Sequence, residues 1–112
     1  MNIRREYIKE STLEDFADSH GIVLVVTERT MDEWQRKMQI KRFTARFEHS
    51  EIMDGQFLVS TYGNGDTEEA AIRDYAGHIS QKRLVLNAGS ASSRVEIEVP
   101  RLVPLALVPF AP

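Results

Sequence analysis

The stretch Gly63-Asn64-Gly65-Asp66-Thr67-Glu68-Glu69-Ala70-Ala71-Ile72 marks where a strand ends, a tight loop turns and a helix begins. The two glycines give the turn its backbone freedom, and Asp66 or Thr67 can accept hydrogen bonds from the first N–H groups of the helix. Glu69 follows Asp66 by three residues, the spacing of a capping box with Asp in the place of Ser or Thr. The stretch therefore predicts a turn and a capped helix.

The residues after this turn have the spacing of an amphipathic helix that continues to about Ser80. Its apolar face recurs at positions i, i+3, i+4 and i+7 and consists of Ile72, Tyr75, Ala76 and Ile79. Gly77 weakens such a helix by roughly 1 kcal/mol relative to Ala. Packing of the apolar face offsets that cost.

A β-hairpin precedes the turn. Apolar residues alternate with polar ones over residues 43–48, with Phe43, Ala45 and Phe47 on the apolar side, which indicates a half-buried strand. Asp54-Gly55 is a two-residue turn signal because both positions tolerate a positive φ. Residues 56–62 then return as the partner strand.

In the N-terminal third, the spacing of capping and apolar residues predicts a helix followed by a strand. Ser11 and Glu14 have the Ser-x-x-Glu spacing of a capping box, and Gly21 is typical of the residue that ends a helix, so a helix is expected over about 12–20. The β-branched run Ile22–Val26 follows. A continuous apolar run of this kind indicates a strand covered on both faces.

A second helix is expected around residues 31–38. Met31, Trp34 and Met38 are spaced for one helical face, and the acidic pair Asp32 and Glu33 suits the positive end of the helix dipole.

The C-terminal half contains a second hairpin. Residues 83–88 form a strand, residues 89–93 form a flexible loop, and Val95, Ile97 and Val99 then alternate with charged residues as the partner strand. The elements run in the order α-β-α-β-β-α-β-β. This order predicts the α+β class, with a mainly antiparallel sheet and two or three helices packed on one of its faces.

Composition indicates one ordinary globular domain over residues 1–112. The chain has 112 residues, of which 42% are hydrophobic and 28% are charged, so it can bury a modest core. The formal net charge of −3 gives no overall attraction to nucleic acid or acidic membrane. The absence of cysteine excludes a disulfide framework and a thiolate nucleophile. The charged N-terminus does not resemble a secretory signal, and a cytoplasmic location is expected.

The span from about residue 43 to residue 80 resembles the N-terminal domain of HicB-family antitoxins. That family carries a strand, an Asp-Gly turn, a second strand and a Gly-Asp-Thr-x-Glu-x-Ala-hydrophobic helix start. The matching positions here are Asp54, Gly55, Gly65, Asp66, Thr67, Glu69, Ala71 and Ile72. The resemblance implies a non-enzymatic fold that binds a small ribonuclease toxin. The small, cysteine-free chain is also similar in composition to accessory proteins of phages and mobile elements.

The chain shows no catalytic or cofactor motif, and neither a cofactor nor a metal is expected. Gly63-x-Gly65 lacks the third glycine of a dinucleotide fingerprint and the Walker lysine, and nearby carboxylates repel an anion. Asn64, Asp66 and Glu68 do not have EF-hand spacing. The histidines His20, His49 and His78 stand far apart, and no serine lies in a nucleophile elbow. We therefore expect a protein that is not an enzyme.

A cluster of basic residues is the first candidate for a binding surface. It consists of Arg36, Lys37, Lys41, Arg42 and Arg46, along the junction between the second helix and the next strand. Such a surface can contact phosphate backbones or an acidic protein. Phe43, Phe47 and Tyr62 are aromatic residues suited to stacking on bases, although the two phenylalanines also suit the core.

The C-terminal tail, residues 102–112, is the second candidate surface. It has no charged residue, and Pro104, Pro109 and Pro112 exclude regular helix and central strand. Its apolar residues, among them Leu105, Leu107 and Phe110, either pack along the sheet of their own chain or dock into a partner or a second subunit.

The function expected from these observations is that of a small non-enzymatic protein-binding module. It would act through protein–protein contacts, as an inhibitor, an antitoxin-like protein or an accessory protein of a phage or mobile element, with a homodimer possible and no membrane contact. The alternative is a nucleic-acid-binding module that uses the basic cluster between Arg36 and Arg46.

Overall fold

The computed structural model describes residues 1–7 and 9–103. The helices are α1 (Leu13–His20), α2 (Glu33–Lys37) and α3 (Glu68–Ile79). The strands are β1 (Glu10–Thr12), β2 (Leu24–Glu28), β3 (Phe43–Phe47), β4 (Ser50–Asp54), β5 (Phe57–Val59), β6 (Gly63–Gly65), β7 (Arg83–Leu86), β8 (Val95–Glu98) and β9 (Arg101–Val103).

The α+β class is confirmed. All eight predicted elements occur in the predicted order, and the described residues add the short strands β1, β4, β6 and β9. The strands form three sheets, which are an antiparallel sheet in the order β2-β3-β6, an antiparallel sheet in the order β5-β4-β7-β8, and the parallel pair β1-β9. The described residues contain no helix with the length and apolar character needed to cross a membrane.

The predicted hairpin is one long hairpin that breaks in the middle. Its outer half pairs β4 with β5, placing Ile52 opposite Val59, and its inner half pairs β3 with β6, placing Ala45 opposite Gly63. The first strand breaks at a turn in which His49 has a left-handed φ of 56°. The hairpin therefore contributes strands to two sheets.

The tip of this hairpin is formed by Gly55-Gln56, so the prediction of Asp54-Gly55 as the two loop residues was wrong by one position. Asp54 pairs with Phe57 as the last pair of the ladder. Gly55 has a φ of 62° and Gln56 does not have a positive φ, which is the pattern of a type II′ turn.

Glycine is needed at positions 63 and 65 because these residues pack closely against another backbone, and not because the chain adopts a positive φ there. Neither has a positive φ. A Cβ atom on Gly63 would lie 2.1 Å from the carbonyl oxygen of Ala71, and one on Gly65 would lie 2.4 Å from the Ala71 nitrogen. Both glycines therefore let β6 lie directly against the backbone of α3.

The cap of α3 is Thr67, and the capping box expected from Asp66 and Glu69 does not form. The Thr67 hydroxyl oxygen accepts a hydrogen bond from the Ala70 N–H at 3.1 Å. Asp66 instead pairs with Lys41, whose Nζ lies 3.2 Å from Oδ2. The predicted C-terminal end is confirmed, because Ser80 is the C-cap residue.

Helix α1 begins one residue later than predicted, because Thr12 is its N-cap in place of Ser11. The Thr12 hydroxyl accepts a hydrogen bond from the Asp15 N–H at 3.1 Å, and Gly21 ends the helix at a φ of 64°, as predicted. The Ile22 N–H still donates to the Ala17 carbonyl at 2.9 Å, so β2 begins only at Leu24. The prediction that this strand is covered on both faces was wrong, since β2 is an edge strand with no fully buried residue.

Helix α2 is short and contributes nothing to the core. It has a complete capping box between Asp32 and Gln35. The expected apolar face is solvent-exposed, with Trp34 at 62% and Met38 at 61% exposure.

The core lies between α1, α3 and the inner faces of the two antiparallel sheets. Its largest fully buried side chain is Tyr75. The Tyr75 ring packs edge-on against the Phe47 ring, with the two ring centroids 5.3 Å apart. The Tyr75 hydroxyl oxygen accepts a hydrogen bond from the Phe47 N–H at 3.0 Å, at the break in the hairpin. Burial raises the pKa of Tyr75 above its usual value, and its hydrogen-bond contacts with Ser50 and Phe47 oppose that rise.

Candidate functional site

The basic cluster predicted from the sequence does not form one surface. Most of its charges have a carboxylate partner, because Lys37 pairs with Glu33 at 3.4 Å and Arg42 pairs with Glu28. Lys41 is held by Asp66, as described above. These pairings reduce the positive potential that an incoming phosphate group would meet.

Members of the cluster also line two separate cavities. Arg36 and Arg42 line an open cavity of about 520 Å³ together with Glu28 and Arg29. Arg46 lines a separate cavity at the far end of the strand. The structure therefore separates residues that the sequence groups together.

Most of the second candidate surface, residues 104–112 of the C-terminal tail, lies outside the described residues. Leu105, Leu107 and Phe110 belong to residues 104–112, which the structure does not describe. Two residues of the tail are described, Leu102 and Val103. They belong to β9, which pairs in parallel with β1, and Leu102 is buried.

Strand β5 is a candidate protein-binding edge that the sequence analysis did not single out. It is the outermost strand of its sheet, and within the described part of the chain it pairs with β4 alone. Its three residues are apolar and exposed, with Phe57 at 75%, Leu58 at 38% and Val59 at 42%. A free row of backbone N–H and C=O groups and an apolar surface therefore coincide at this edge.

The backbone geometry of the hairpin identifies which groups of β5 are free. In an antiparallel pair, alternate residues direct their N–H and C=O groups toward the partner strand. The pair that closes a two-residue turn is hydrogen-bonded, and here that pair is Asp54 and Phe57. Leu58 is the next residue, so its N–H and C=O point away from β4.

A polar cavity of about 420 Å³ lies at the break in the long hairpin, and we call it the Arg46 pocket. Its lining includes Arg46, His49, Glu51, Tyr62, Asn87 and Ser90. Two of the four non-glycine residues with positive φ in the described residues, His49 and Asn87, belong to it. The sequence groups Arg46 with a different surface, because the turn after β3 and the loop after β7 are far apart along the chain although they are close in the fold.

The other candidate residues of the sequence occupy structural positions. The His20 ring lies 3.0 Å from the Phe16 carbonyl oxygen, and the His78 ring lies 3.3 Å from the Asp74 carboxylate. Asn64 donates its backbone N–H to Asp74 at 2.8 Å. In the described residues no three His, Asp or Glu side chains come together as a metal site.

Comparison of the chain with protein-family models, with curated proteins and with solved structures found no match.

Proposed function

We propose that this protein is a protein-binding module, and that its partner adds an extended, uncharged segment to the free edge of β5. The observation that carries this proposal is the run of exposed apolar residues, Phe57, Leu58 and Val59, on an outermost strand. Strand addition uses the free backbone groups of the edge for affinity and the side chains on alternate positions for specificity.

The opposite edge of the same sheet supports this proposal by contrast. Strand β8 carries Glu96 and Glu98, which pair with Arg94 at 3.9 Å and Arg83 at 2.7 Å. Charged side chains on an edge strand discourage pairing with another chain. Strand β5 has no such protection.

The absence of charge extends beyond β5 itself. No residue between Gly55 and Gly65 is charged, although charged residues make up 28% of the chain. Strand β5 therefore lies within a run of eleven consecutive uncharged residues. Apolar or neutral polar partners are favoured, since a charged group buried against this segment would have no counterion.

The size of the edge limits the affinity that it provides alone. Full burial of an apolar side chain contributes roughly 1.5–3 kcal/mol, and these three are already partly covered. Association costs roughly 4–15 kcal/mol in lost freedom of motion. The partner must therefore contact neighbouring surface as well, and Tyr62, which is 49% exposed and follows β5 closely, is the nearest exposed aromatic residue along the chain.

The nucleic-acid alternative has less support from the geometry. Arg36 and Arg42 line one cavity and Arg46 lines another. Three of the five basic residues are paired with carboxylates, and the formal net charge is −3. Under the resemblance to HicB-family antitoxins, the protein partner would be a small toxin. That identity stays a prediction.

The test uses random peptides displayed on phage and selected on the folded protein. We expect the selected peptides to be uncharged and rich in β-branched and apolar residues. Their binding should protect the Leu58 amide from hydrogen exchange, because that N–H becomes part of a new ladder.

The matched variants are Leu58→Pro and Glu96→Pro, on the two edges of the sheet. Proline at Leu58 removes an outward-facing donor and leaves the ladder with β4 intact, so peptide binding should be lost while the circular dichroism spectrum is unchanged. Glu96 also has an outward-facing N–H, because the Val99 N–H donates to the Lys82 carbonyl and alternate residues of β8 face β7. Glu96→Pro should leave binding unaltered. Peptides that instead shift the fluorescence of Trp34, the only tryptophan, would place the binding surface on α2 and contradict the proposal.

A further inference from the structure

The Arg46 pocket is built on two turns that are fixed to each other. The Asn87 N–H donates to the His49 carbonyl at 2.9 Å, and both residues have left-handed backbone conformations. The loop after Asn87 is braced as well, since Ser90 accepts from the Ser93 N–H at 3.2 Å. Left-handed non-glycine residues that the fold holds in place are common around ligand sites.

Arg46 is distinctive among the cations of this chain. In the described residues only Arg29 and Arg46 are half-buried, and every other lysine and arginine is exposed. Arg29 donates to the Lys41 carbonyl at 2.7 Å. Within the described residues the Arg46 guanidinium has no carboxylate within 4.0 Å and no side-chain hydrogen bond. A guanidinium withdrawn partly from water needs acceptors, and an oxyanion supplies two of them in matching geometry.

Glu51 presents the opposite charge in the same cavity. It is also half-buried, and among the described residues no cation lies within 4.0 Å of its carboxylate. Arg46 and Glu51 therefore line one cavity without forming an ion pair with each other. The rest of the lining supplies uncharged polar groups from Ser60, Thr61 and Asn87.

We propose that the Arg46 pocket binds a small zwitterion of the α-amino acid type. Its carboxylate would lie on Arg46 and its ammonium group on Glu51, so that each half-buried charge gains a partner. The cavity volume of about 420 Å³ falls within the range of small-ligand sites. A carboxylic acid without an ammonium group would pair only with Arg46, and an amine without a carboxylate would pair only with Glu51. This site does not depend on the proposed role of β5.

The test is an NMR titration of the ¹⁵N-labelled full-length chain with single L-amino acids at millimolar concentration. Propionate, ethylamine and inorganic phosphate are titrated in parallel as probes with one kind of charge. We expect an amino acid to shift the amide signals of His49, Asn87 and Ser90 and to bind at least about tenfold more tightly than each single-charge probe. Equal binding of propionate or phosphate would overturn the zwitterion assignment, as would the absence of shifts at these amides with every amino acid.

Two substitutions test whether Arg46 and Glu51 bind the two charged groups of the ligand. Arg46→Gln and Glu51→Gln should each weaken amino acid binding by about tenfold or more. Arg83→Gln removes an exposed arginine of the same protein and should leave binding unchanged. If amino acid binding survives both Arg46→Gln and Glu51→Gln, the ligand is held elsewhere and the proposal is wrong.

Discussion

At the scale of single residues, the two glycines of the decisive stretch have a role that their sequence context does not reveal. Gly63 meets the carbonyl oxygen of Ala71 and the nitrogen of Tyr75, which are backbone atoms of α3 that cannot move aside. Gly77 lies in the last turn of α3, and a Cβ atom there would face open space. The same residue type therefore serves close packing at one position and only weakens a helix at the other.

We expect Gly63→Ala and Gly77→Ala to change stability in opposite directions. A methyl group at Gly63 would lie 2.3 Å from the Tyr75 nitrogen, so the free energy of unfolding should fall by about 3 kcal/mol or more. Gly77→Ala should raise it by about 0.5–1 kcal/mol, since alanine favours the helix and no atom is displaced. Urea unfolding monitored by circular dichroism measures both, and equal effects of the two substitutions would refute the packing argument.

The Tyr75 hydroxyl group is the second residue-scale feature with a measurable consequence. It accepts a hydrogen bond from the Phe47 N–H at the break in the hairpin. Tyr75→Phe leaves that buried N–H without its acceptor, which should lower the free energy of unfolding by about 1–3 kcal/mol. Tyr62→Phe, at an exposed tyrosine, is the control and should change stability little.

The pH dependence of stability provides a second measurement on Tyr75. Burial raises its pKa in the folded state, whereas the unfolded chain titrates near a pKa of about 10. Above pH 10 the unfolded tyrosine loses its proton while the folded one keeps it, so the free energy of unfolding falls as pH rises. The stability advantage of the wild type over Tyr75→Phe should therefore be complete below pH 10 and shrink above it. A constant difference across that range would contradict the assignment.

At the scale of elements, the start of α3 shows which of two candidate residues is the N-cap, a choice that the sequence leaves open. Thr67 makes the capping hydrogen bond, while Asp66 makes an exposed ion pair with Lys41. Thr67→Ala should cost about 1 kcal/mol of stability. Asp66→Ala should cost less, because exposed ion pairs contribute about 0–1 kcal/mol. Thermal unfolding of the two variants compares them directly, and a larger loss in Asp66→Ala would reverse the assignment of the cap.

Much of the fold at this scale is predictable from local pattern. The helix that contains Tyr75 and the end of α1 at Gly21 follow from periodicity and from residues with special backbone preferences. Strands β1 and β9 were not predictable, because each has only three residues and their pairing joins distant parts of the chain. The apolar spacing of Met31, Trp34 and Met38 was misleading, since the five-residue helix α2 has no buried residue and Trp34 and Met38 are exposed.

The candidate sites were harder to predict than the elements. The exposure of β5 depends on its place at the outer edge of a sheet, which the alternation of its residues does not encode. The Arg46 pocket depends on the break in the long hairpin, which brings the turn at His49 beside the loop after β7. Both sites come from tertiary arrangement.

At the scale of the whole molecule, the two outer edges of the four-stranded sheet differ in their tendency to associate. Strand β5 is apolar, while β8 carries paired charges. Without a partner at β5, we expect the protein to self-associate as its concentration rises. Leu58→Lys should suppress this association, and Val95→Lys on the protected edge should not. Sedimentation velocity over a concentration series measures the effect, and equal behaviour of both variants would contradict the distinction between the edges.

The parallel pair β1-β9 joins Glu10–Thr12 to Arg101–Val103, and this pairing has a consequence for synthesis on the ribosome. The chain is made from its N-terminus, so β1 is synthesised about 90 residues before its partner. At about 5–20 residues per second, the delay is roughly 5–20 s. The hairpins and α3 can assemble during that interval, whereas β1 must wait for β9 to be synthesised before it is paired.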